Sequence, residues 1–207
     1  MEITLENIGK RYDADWIFRE INATFKPNNV YGLIGFNGSG KSTLLQIISG
    51  FVTPTEGTID FRSTNEVLVE DVYKSLSMAA PYMSLPTELT VEEAVLNHSN
   101  HKQLVASTHP KDLIDSIQLY NHRNKTLSKL SSGMRQRLAL ALAIHSNCSL
   151  LLLDEPCANL DSKWSEWFNR CLEEHKENKT VIISSNSQKV ELENVTEPLL
   201  NVSDFTP

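Results

Sequence analysis

The sequence of 207 residues lacks the features that define several large classes of protein. It has no apolar run near the roughly 18 residues that a membrane-spanning helix needs, so we expect the chain itself not to cross a membrane. The acidic start Met1-Glu2 is not typical of a secretory signal peptide. Its net charge of −7 offers no basic surface to nucleic acid, and we expect no nucleic-acid partner.

Cysteine is also scarce, with three residues, Cys148, Cys157 and Cys171. No two of them have the Cys-x-x-Cys spacing of redox and zinc motifs, and their number is odd. Free thiols in a reducing cytosol are therefore expected. His98 and His101 have side chains that can ligate a metal, but no further ligands cluster near them in the sequence. We therefore expect them in a solvated loop.

The most informative stretch is residues 35–43, which satisfies the phosphate-loop pattern G-x-x-x-x-G-K-[ST]. Apolar residues 30–34 before it predict a buried strand, and residues 44–48 after it predict a helix. Glycines let the backbone aim N–H groups at phosphate oxygens, and the helix N-terminus adds its positive dipole end. Lys41 would reach the β- and γ-phosphates and Ser42 would ligate Mg²⁺. The predicted nucleotide-binding residues here are Gly35, Phe36, Asn37, Gly38, Ser39, Gly40, Lys41, Ser42 and Thr43.

Four leucines at residues 150–153 predict a buried parallel strand that ends at Asp154. Open α/β sheets bind ligands at the carboxyl ends of their strands, so Asp154 is a candidate Mg²⁺ ligand across from Ser42. Glu155 is placed to orient and polarise an attacking water, as a catalytic residue. Acidic residues that simply cap a strand would explain this segment equally well by itself. The phosphate loop upstream favours the metal site.

The rest of the pattern predicts one α/β domain over residues 1–207. Alternating residues before position 25, with a break near Asp13, predict short antiparallel strands. Residues 82–130 are polar and mostly helical in pattern, with Thr90 and Glu93 spaced as a capping box, and we interpret them as a small inserted helical lobe. The remaining segments, residues 1–81 and 131–207, would form the α/β core and the antiparallel β-subdomain. The final twenty residues give no clear signal.

With these motifs in this order, the chain resembles the nucleotide-binding subunit of an ATP-binding cassette (ABC) protein from Tyr12 to about Asn186. Residues 130–137, Leu-Ser-Ser-Gly-Met-Arg-Gln-Arg, resemble the family signature LSGGQ-x-x-R. The resemblance implies that Tyr12 stacks on adenine, and that Asp161 lies in a loop at the dimer interface beside Glu155. It also implies contacts with the γ-phosphate held by the other subunit. These would come from Ser131, Ser132 and Gly133.

The same resemblance implies a P-loop NTPase (RecA-like) parallel-sheet core, with ATP and Mg²⁺ as cofactors. Two cassettes, as a homodimer or a heterodimer, would close on two ATP molecules and part on hydrolysis. The expected partner is a membrane-spanning transporter subunit on a separate chain. The protein would then be cytoplasmic and attached to the inner face of the membrane through that subunit.

Three positions depart from the family pattern. Ser132 and Met134 replace a glycine and a glutamine of the signature, a mild change because Ser131 and Gly133 remain. At the family's metal-sensing glutamine the chain has residues 80–82, Ala-Pro-Tyr, and the next glutamine is Gln103. At the family's γ-phosphate histidine it has Asn186, whose amide donates a hydrogen bond but cannot shuttle a proton. We therefore expect slow hydrolysis rather than none.

Two other functions remain open on the sequence. One is a soluble single-cassette ABC assembly factor, and the other is a degenerate module that closes on ATP and barely hydrolyses it. The transporter hypothesis predicts an apolar groove beside the helical lobe, lined by Tyr82, Met83 and Leu85. Ordinary core packing would explain these three residues equally well. Full burial of Tyr82 and Met83 would count against the groove.

Overall fold

Two β-sheets and five α-helices make up the part of the chain that the computed structural model describes, residues 1–63, 66–186 and 189–207. The strands are β1 (Glu2–Tyr12), β2 (Asp15–Phe25), β3 (Val30–Ile34), β4 (Glu56–Arg62), β5 (Glu66–Val67), β6 (Leu76–Ala79), β7 (Leu150–Asp154), β8 (Thr180–Ser184) and β9 (Leu200–Asn201). The helices are α1 (Lys41–Ile48), α2 (Val91–His101), α3 (Pro110–Ser116), α4 (Ser132–His145) and α5 (Ser162–His175). Short 3-10 turns cover Val69–Lys74, Tyr120–His122, Leu127–Lys129, Lys189–Leu192 and Val202–Phe205.

The larger sheet is parallel, with strand order β6-β7-β8-β3-β9. Successive side chains of a strand point to opposite faces, and the leucines of β7 alternate between the two faces of the sheet. Leu151 and Leu153 pack in a core with α4, α5 and the helices between β6 and β7, whereas Leu150 and Leu152 pack in a core with α1 and the second sheet. Both faces of the sheet are therefore covered, which explains the unbroken apolar run and confirms the predicted buried strand.

The second sheet is antiparallel, with order β2-β1-β4-β5. β1 and β2 pair from Ile3 opposite Phe25 to Tyr12 opposite Asp15. Asp13 takes a φ of 52° in the turn between them, a conformation that Asp tolerates better than most residues. The predicted antiparallel strands with a break near Asp13 are confirmed.

The helices α2 and α3 lie between β6 and β7 in the chain. Thr90 caps α2 as predicted: the Glu93 N–H donates to Thr90 Oγ1 at 3.2 Å, and the Thr90 N–H donates to Glu93 Oε2 at 2.8 Å. His98 and His101 lie in the last turn of this helix, so their predicted placement in a loop is wrong. His98 is partly buried, and its Nε2 contacts Ser146 Oγ at 2.8 Å.

The last residues add an edge strand that the sequence did not signal. β9 pairs in parallel with β3, with Leu200 opposite Leu33 and Asn201 opposite Ile34. Val202 follows it and is fully buried. Within the described ranges, no helix has the length and apolar character needed to cross a bilayer.

Candidate functional site

The phosphate loop joins the carboxyl end of β3 to the first residue of α1. Gly40 is the N-cap of that helix, with a φ of 94°. A Cβ at this position would lie 2.5 Å from Ile17 Cγ2 and 2.7 Å from a ring carbon of Phe18, so β2 packs directly against the loop backbone. Only glycine combines this left-handed conformation with so close a contact.

Lys41 folds back across the loop that precedes it. Its Nζ donates to the carbonyl oxygens of Gly35 at 2.9 Å and Phe36 at 3.1 Å, and the residue is 5% exposed. Burial lowers the pKa of Lys41, and the carboxylates of Glu155 and Asp154 oppose that shift. The loop carbonyls therefore hold the Lys41 ammonium, which also lies in the electrostatic field of the Glu155 and Asp154 carboxylates.

Asp154 ends β7 between the carboxyl ends of β6 and β8. It is 2% exposed, and its Oδ1 is buried with no hydrogen-bond partner among the described residues. Ser184 stands opposite it on β8, and its hydroxyl is likewise unpartnered in that part of the chain. A buried carboxylate oxygen without a partner is costly, and it is a ligand that Mg²⁺ prefers. The donors at this edge therefore fit a magnesium ion.

Glu155 has a φ of 44°, which is uncommon for a residue other than glycine. Its N–H donates to the Ser184 carbonyl at 2.9 Å, and its Oε1 accepts from Asn186 Nδ2 at 2.5 Å. Non-glycine residues held in this conformation cluster at functional sites. The backbone and the asparagine together fix the direction of the carboxylate.

Glu191 is a buried residue at this site that the sequence analysis missed. Its Oε1 accepts from the Cys157 N–H at 2.8 Å, and its Oε2 accepts from the Ser185 hydroxyl. Burial raises the pKa of Glu191, and the negative charges of Glu155 and Asp154 add to that rise. It ties the turn after Glu155 to the end of β8. No sequence motif marked it, because it lies in a segment without periodicity.

Tyr82 lies just beyond β6, in a turn closed by the Met83 N–H donating to the Ala80 carbonyl at 3.0 Å. Tyr82 is 49% exposed and Met83 is 50% exposed. Partial burial, and then the neighbouring Asp154 carboxylate, raise the pKa of Tyr82 to about 12. Its hydroxyl therefore stays protonated at neutral pH beside Asp154.

The signature-like segment forms the start of α4. Ser131 is the N-cap, and its Oγ accepts from the Met134 N–H at 3.2 Å. Ser131 and Ser132 are exposed, and a Cβ on Gly133 would lie 3.1 Å from the Asn159 carbonyl. The segment therefore packs beside residues 158–161, where Asp161 caps α5 by accepting from the Trp164 N–H at 3.0 Å.

Tyr12 lies at the end of β1 and is 48% exposed, with Lys10 Nζ 5.0 Å from its ring centroid. The hairpin that carries it borders the phosphate loop through the contacts of β2 with Gly40. The structure thus brings together the phosphate loop, Asp154, Glu155 and Asn186. No hydrogen bond between described residues joins residues 131–133 to that group.

The family model and the relatives that match this chain all belong to one family. The family model described as ABC transporter matches residues 18–158. The uncharacterized ABC transporter ATP-binding protein YybJ of Bacillus subtilis (strain 168) is 33% identical over 190 residues, which cover 90% of this chain and 86% of the relative. The lantibiotic transport ATP-binding protein SrtF of Streptococcus pyogenes is 30% identical, with 88% of this chain and 79% of that protein covered.

A solved structure gives the same result for the fold. The dimeric structure of MJ0796, a bacterial ABC transporter cassette, matches with a TM-score of 0.78 and 25% identity. The match covers 97% of this chain and 95% of that one. The predicted α/β fold with a parallel-sheet P-loop core and an antiparallel sheet is confirmed.

Proposed function

The chain belongs to the ABC transporter family as an ATPase subunit, and we propose that it powers a transporter through MgATP-driven dimerisation, with slow hydrolysis. The observation that carries the proposal is the group at the carboxyl edge of the parallel sheet. Lys41 is held in the loop, Asp154 has an unpaired buried oxygen, and Glu155 is fixed by Asn186. These are the parts that phosphoryl transfer needs: positioning, charge stabilisation and a residue that orients water.

ATP binding is assigned to the loop residues 35–43 and to Tyr12. The backbone N–H groups at the start of α1 and the Lys41 ammonium would bind the phosphates, and the exposed Tyr12 ring would stack on the base. Ser42 and Asp154 would hold Mg²⁺, which neutralises charge on the β- and γ-phosphates when bound. The unpaired Asp154 oxygen supports this assignment.

Glu155 is the proposed catalytic residue, which orients the attacking water and accepts its proton. Asn186 is a positioning residue, because its amide contacts the Glu155 carboxylate at 2.5 Å. The amide has no proton to exchange at neutral pH. This favours slow turnover, in keeping with the absence of a histidine at position 186.

Tyr82 takes the place of the family's glutamine beside Asp154. Its protonated hydroxyl lies in the field of that carboxylate and is one oxygen that both donates and accepts, whereas an amide has separate donor and acceptor atoms. We propose that it replaces the link between the metal site and the helical lobe, residues 82–130 of the single domain 1–207. This replacement is the second reason to expect slow hydrolysis.

Dimerisation is assigned to the exposed face formed by the start of α4 and the loop before α5. Ser131, Ser132 and Gly133 would contact the γ-phosphate of the opposite subunit, and Asp161 would lie at the interface. The exposure of Ser131, Ser132 and Asp161, the position of residues 131–133 at the N-terminal end of α4 and the dimeric cassette of known structure support this proposal. The partner is a second copy or a related subunit.

A membrane-spanning subunit on a separate chain is the proposed second partner, and it would hold this protein on the cytoplasmic face. Tyr82 and Met83 expose half of their surface, as the groove hypothesis requires, whereas Leu85 is partly buried against the core. Phe51 is 84% exposed and Tyr73 is 62% exposed. A partner helix would cover exposed apolar side chains such as these where they form one contiguous patch.

The altered residues beside Glu155 favour one alternative, a module that closes on ATP with little hydrolysis. The direct test of the proposed function uses Glu155→Gln, which removes the base and keeps the phosphate loop. We expect this variant to form a dimer only with MgATP, measured by light scattering, while wild type dimerises transiently. Lys41→Ala in the same background should remain monomeric. A Glu155→Gln protein that stays monomeric at saturating MgATP would contradict the proposal.

A further inference from the structure

A second group of side chains with metal-binding chemistry lies at the other end of α4. His145 is the last residue of that helix, and Cys171 and His175 are one turn apart on α5. One ligand atom from each lies within 4.8 Å of the others, and His145 Nε2 is 3.6 Å from Cys171 Sγ. The 14 residues of α4 place this group about 20 Å from Ser131, well away from the signature-like segment.

The hydrogen bond of His175 leaves its Nε2 atom free to bind a metal. His175 Nδ1 contacts the Cys171 carbonyl at 2.9 Å, and because a carbonyl only accepts, Nδ1 carries the proton and Nε2 carries the lone pair. His145 Nδ1 contacts Thr108 Oγ1, a hydroxyl that can donate or accept, at 2.9 Å, and its Nε2 lies 3.6 Å from Cys171 Sγ. Histidine ligands of metals are held in this way through the nitrogen that does not bind the metal.

Burial keeps the His145 imidazole neutral, and it also keeps Cys171 a thiol, which opposes the thiolate that a metal binds. His145 is 9% exposed and Cys171 is 5% exposed, while His175 is partly exposed and gives an ion access. Burial, followed by the charges of His175 and Lys179, lowers the pKa of His145 to about 4. Burial raises the pKa of Cys171 to about 12, with Glu174 adding to the rise and Lys179 and Arg170 opposing it.

We propose that His145, Cys171 and His175 form a site for a soft divalent cation, Zn²⁺ above all, with a water in the fourth position. Two imidazoles and one thiolate are ligands that select zinc, and three protein ligands leave a four-coordinate ion one open position. On binding, the Cys171 S–H bond breaks, its proton leaves to water, and the thiolate pair forms the bond to the metal. Ligand atoms around zinc lie about 3.5 Å apart, so the group must contract by about 1 Å.

The positive charge of Lys179 opposes the binding of a cation at this site. It is buried, and its ammonium donates to the Ile144 carbonyl at 2.6 Å, next to His145. Burial already lowers the pKa of Lys179. The thiolate formed on binding offsets one of the two metal charges.

The site would tie three parts of the chain together. α4 and α5 supply the ligands, and Thr108 supplies the hydrogen bond to His145 from the segment before α3. The same segment pairs with the end of α4, where the Val105 N–H donates to the His145 carbonyl at 2.8 Å. Bound zinc should therefore raise the melting temperature, as any ligand specific to the folded state does.

The test uses the purified full-length chain with Co²⁺ and Zn²⁺ as probes. We expect one equivalent of Co²⁺ to give a thiolate-to-cobalt absorption band, and Zn²⁺ to displace it stoichiometrically. Cys171→Ser and His175→Asn should lose the band, whereas Cys148→Ser, a change at another buried cysteine, should keep it. Circular dichroism of each variant would verify that it is folded.

Thr108→Val provides a second measurement that leaves all three ligands in place. Removing the hydrogen bond to His145 Nδ1 should weaken Zn²⁺ binding by about 10- to 100-fold, measured by competition with a chromophoric chelator. No thiolate band in the folded wild type would overturn the proposal. So would a band of equal strength in Cys171→Ser.

Discussion

The phosphate loop and the surroundings of Glu155 differ in how far they keep the family pattern. The loop has every residue of its motif, Gly40 packs against β2, and Lys41 donates to the Gly35 carbonyl. Around Glu155 and Asp154, by contrast, Asn186 and Tyr82 are the side chains that we propose stand in for a histidine and a glutamine of the family. The phosphate loop therefore keeps its motif, whereas the proposed catalytic region departs from the family pattern.

The largest effect is expected from Lys41→Ala. The variant removes the ammonium that the carbonyls of Gly35 and Phe36 hold in the loop, and with it the main positive charge facing the phosphates. Tight MgATP binding should be abolished in isothermal calorimetry. Near-normal affinity would contradict the assignment of the loop.

Asn186 offers the next comparison. Asn186→Ala removes the hydrogen bond to the Glu155 carboxylate and should lower turnover by on the order of 10²-fold, with little change in MgATP affinity. Asn186→His should raise turnover above wild type. If Asn186→Ala turned over as fast as wild type, the asparagine would not position Glu155.

Two variants at Tyr82 test whether its hydroxyl acts through a hydrogen bond or the residue acts only by packing. Tyr82→Gln introduces the glutamine that we propose Tyr82 replaces and should increase turnover several-fold, whereas Tyr82→Phe keeps the ring and loses the hydroxyl. We expect Tyr82→Phe to lower turnover without changing MgATP affinity. Equal rates for all three proteins would show that the hydroxyl beside Asp154 has no part in the reaction.

The smallest effect is expected in the pH dependence of the free energy of unfolding, through Glu191. The folded-state pKa of Glu191 is raised by burial, so the native protein holds this proton more tightly than the unfolded chain does. Its contribution to the free energy of unfolding is present at low pH and is lost as pH rises from the ordinary carboxyl range through the raised pKa. Urea unfolding of Glu191→Gln should therefore lose less stability over that range than wild type. Parallel pH profiles would contradict this.

The sequence allowed good prediction wherever a local pattern determines the structure. The glycine spacing identified the loop, four leucines located β7, and Thr90 with Glu93 located the start of α2. These features depend on residues a few positions apart. Local sequence carries such information directly.

What the sequence did not predict depends on tertiary contacts. Glu191 reaches Cys157 across 34 positions, and β9 pairs with β3 from the far end of the chain. The cluster at His145 likewise joins two helices, and its one local sign is the spacing of Cys171 and His175 by one helical turn. The placement of His98 in a loop failed because α2 extends further than its polar composition suggested.

The most direct test of the account is steady-state ATP hydrolysis by the purified chain, with Glu155→Gln as the blank and MgATP binding measured on the same preparations. We predict tight MgATP binding in both proteins. We also predict that wild type hydrolyses ATP faster than the blank, at a rate well below the roughly 10 s⁻¹ that is typical of enzymes. Turnover equal to the blank despite tight binding would contradict it. Such a result would identify the protein as a module that closes on ATP without hydrolysing it.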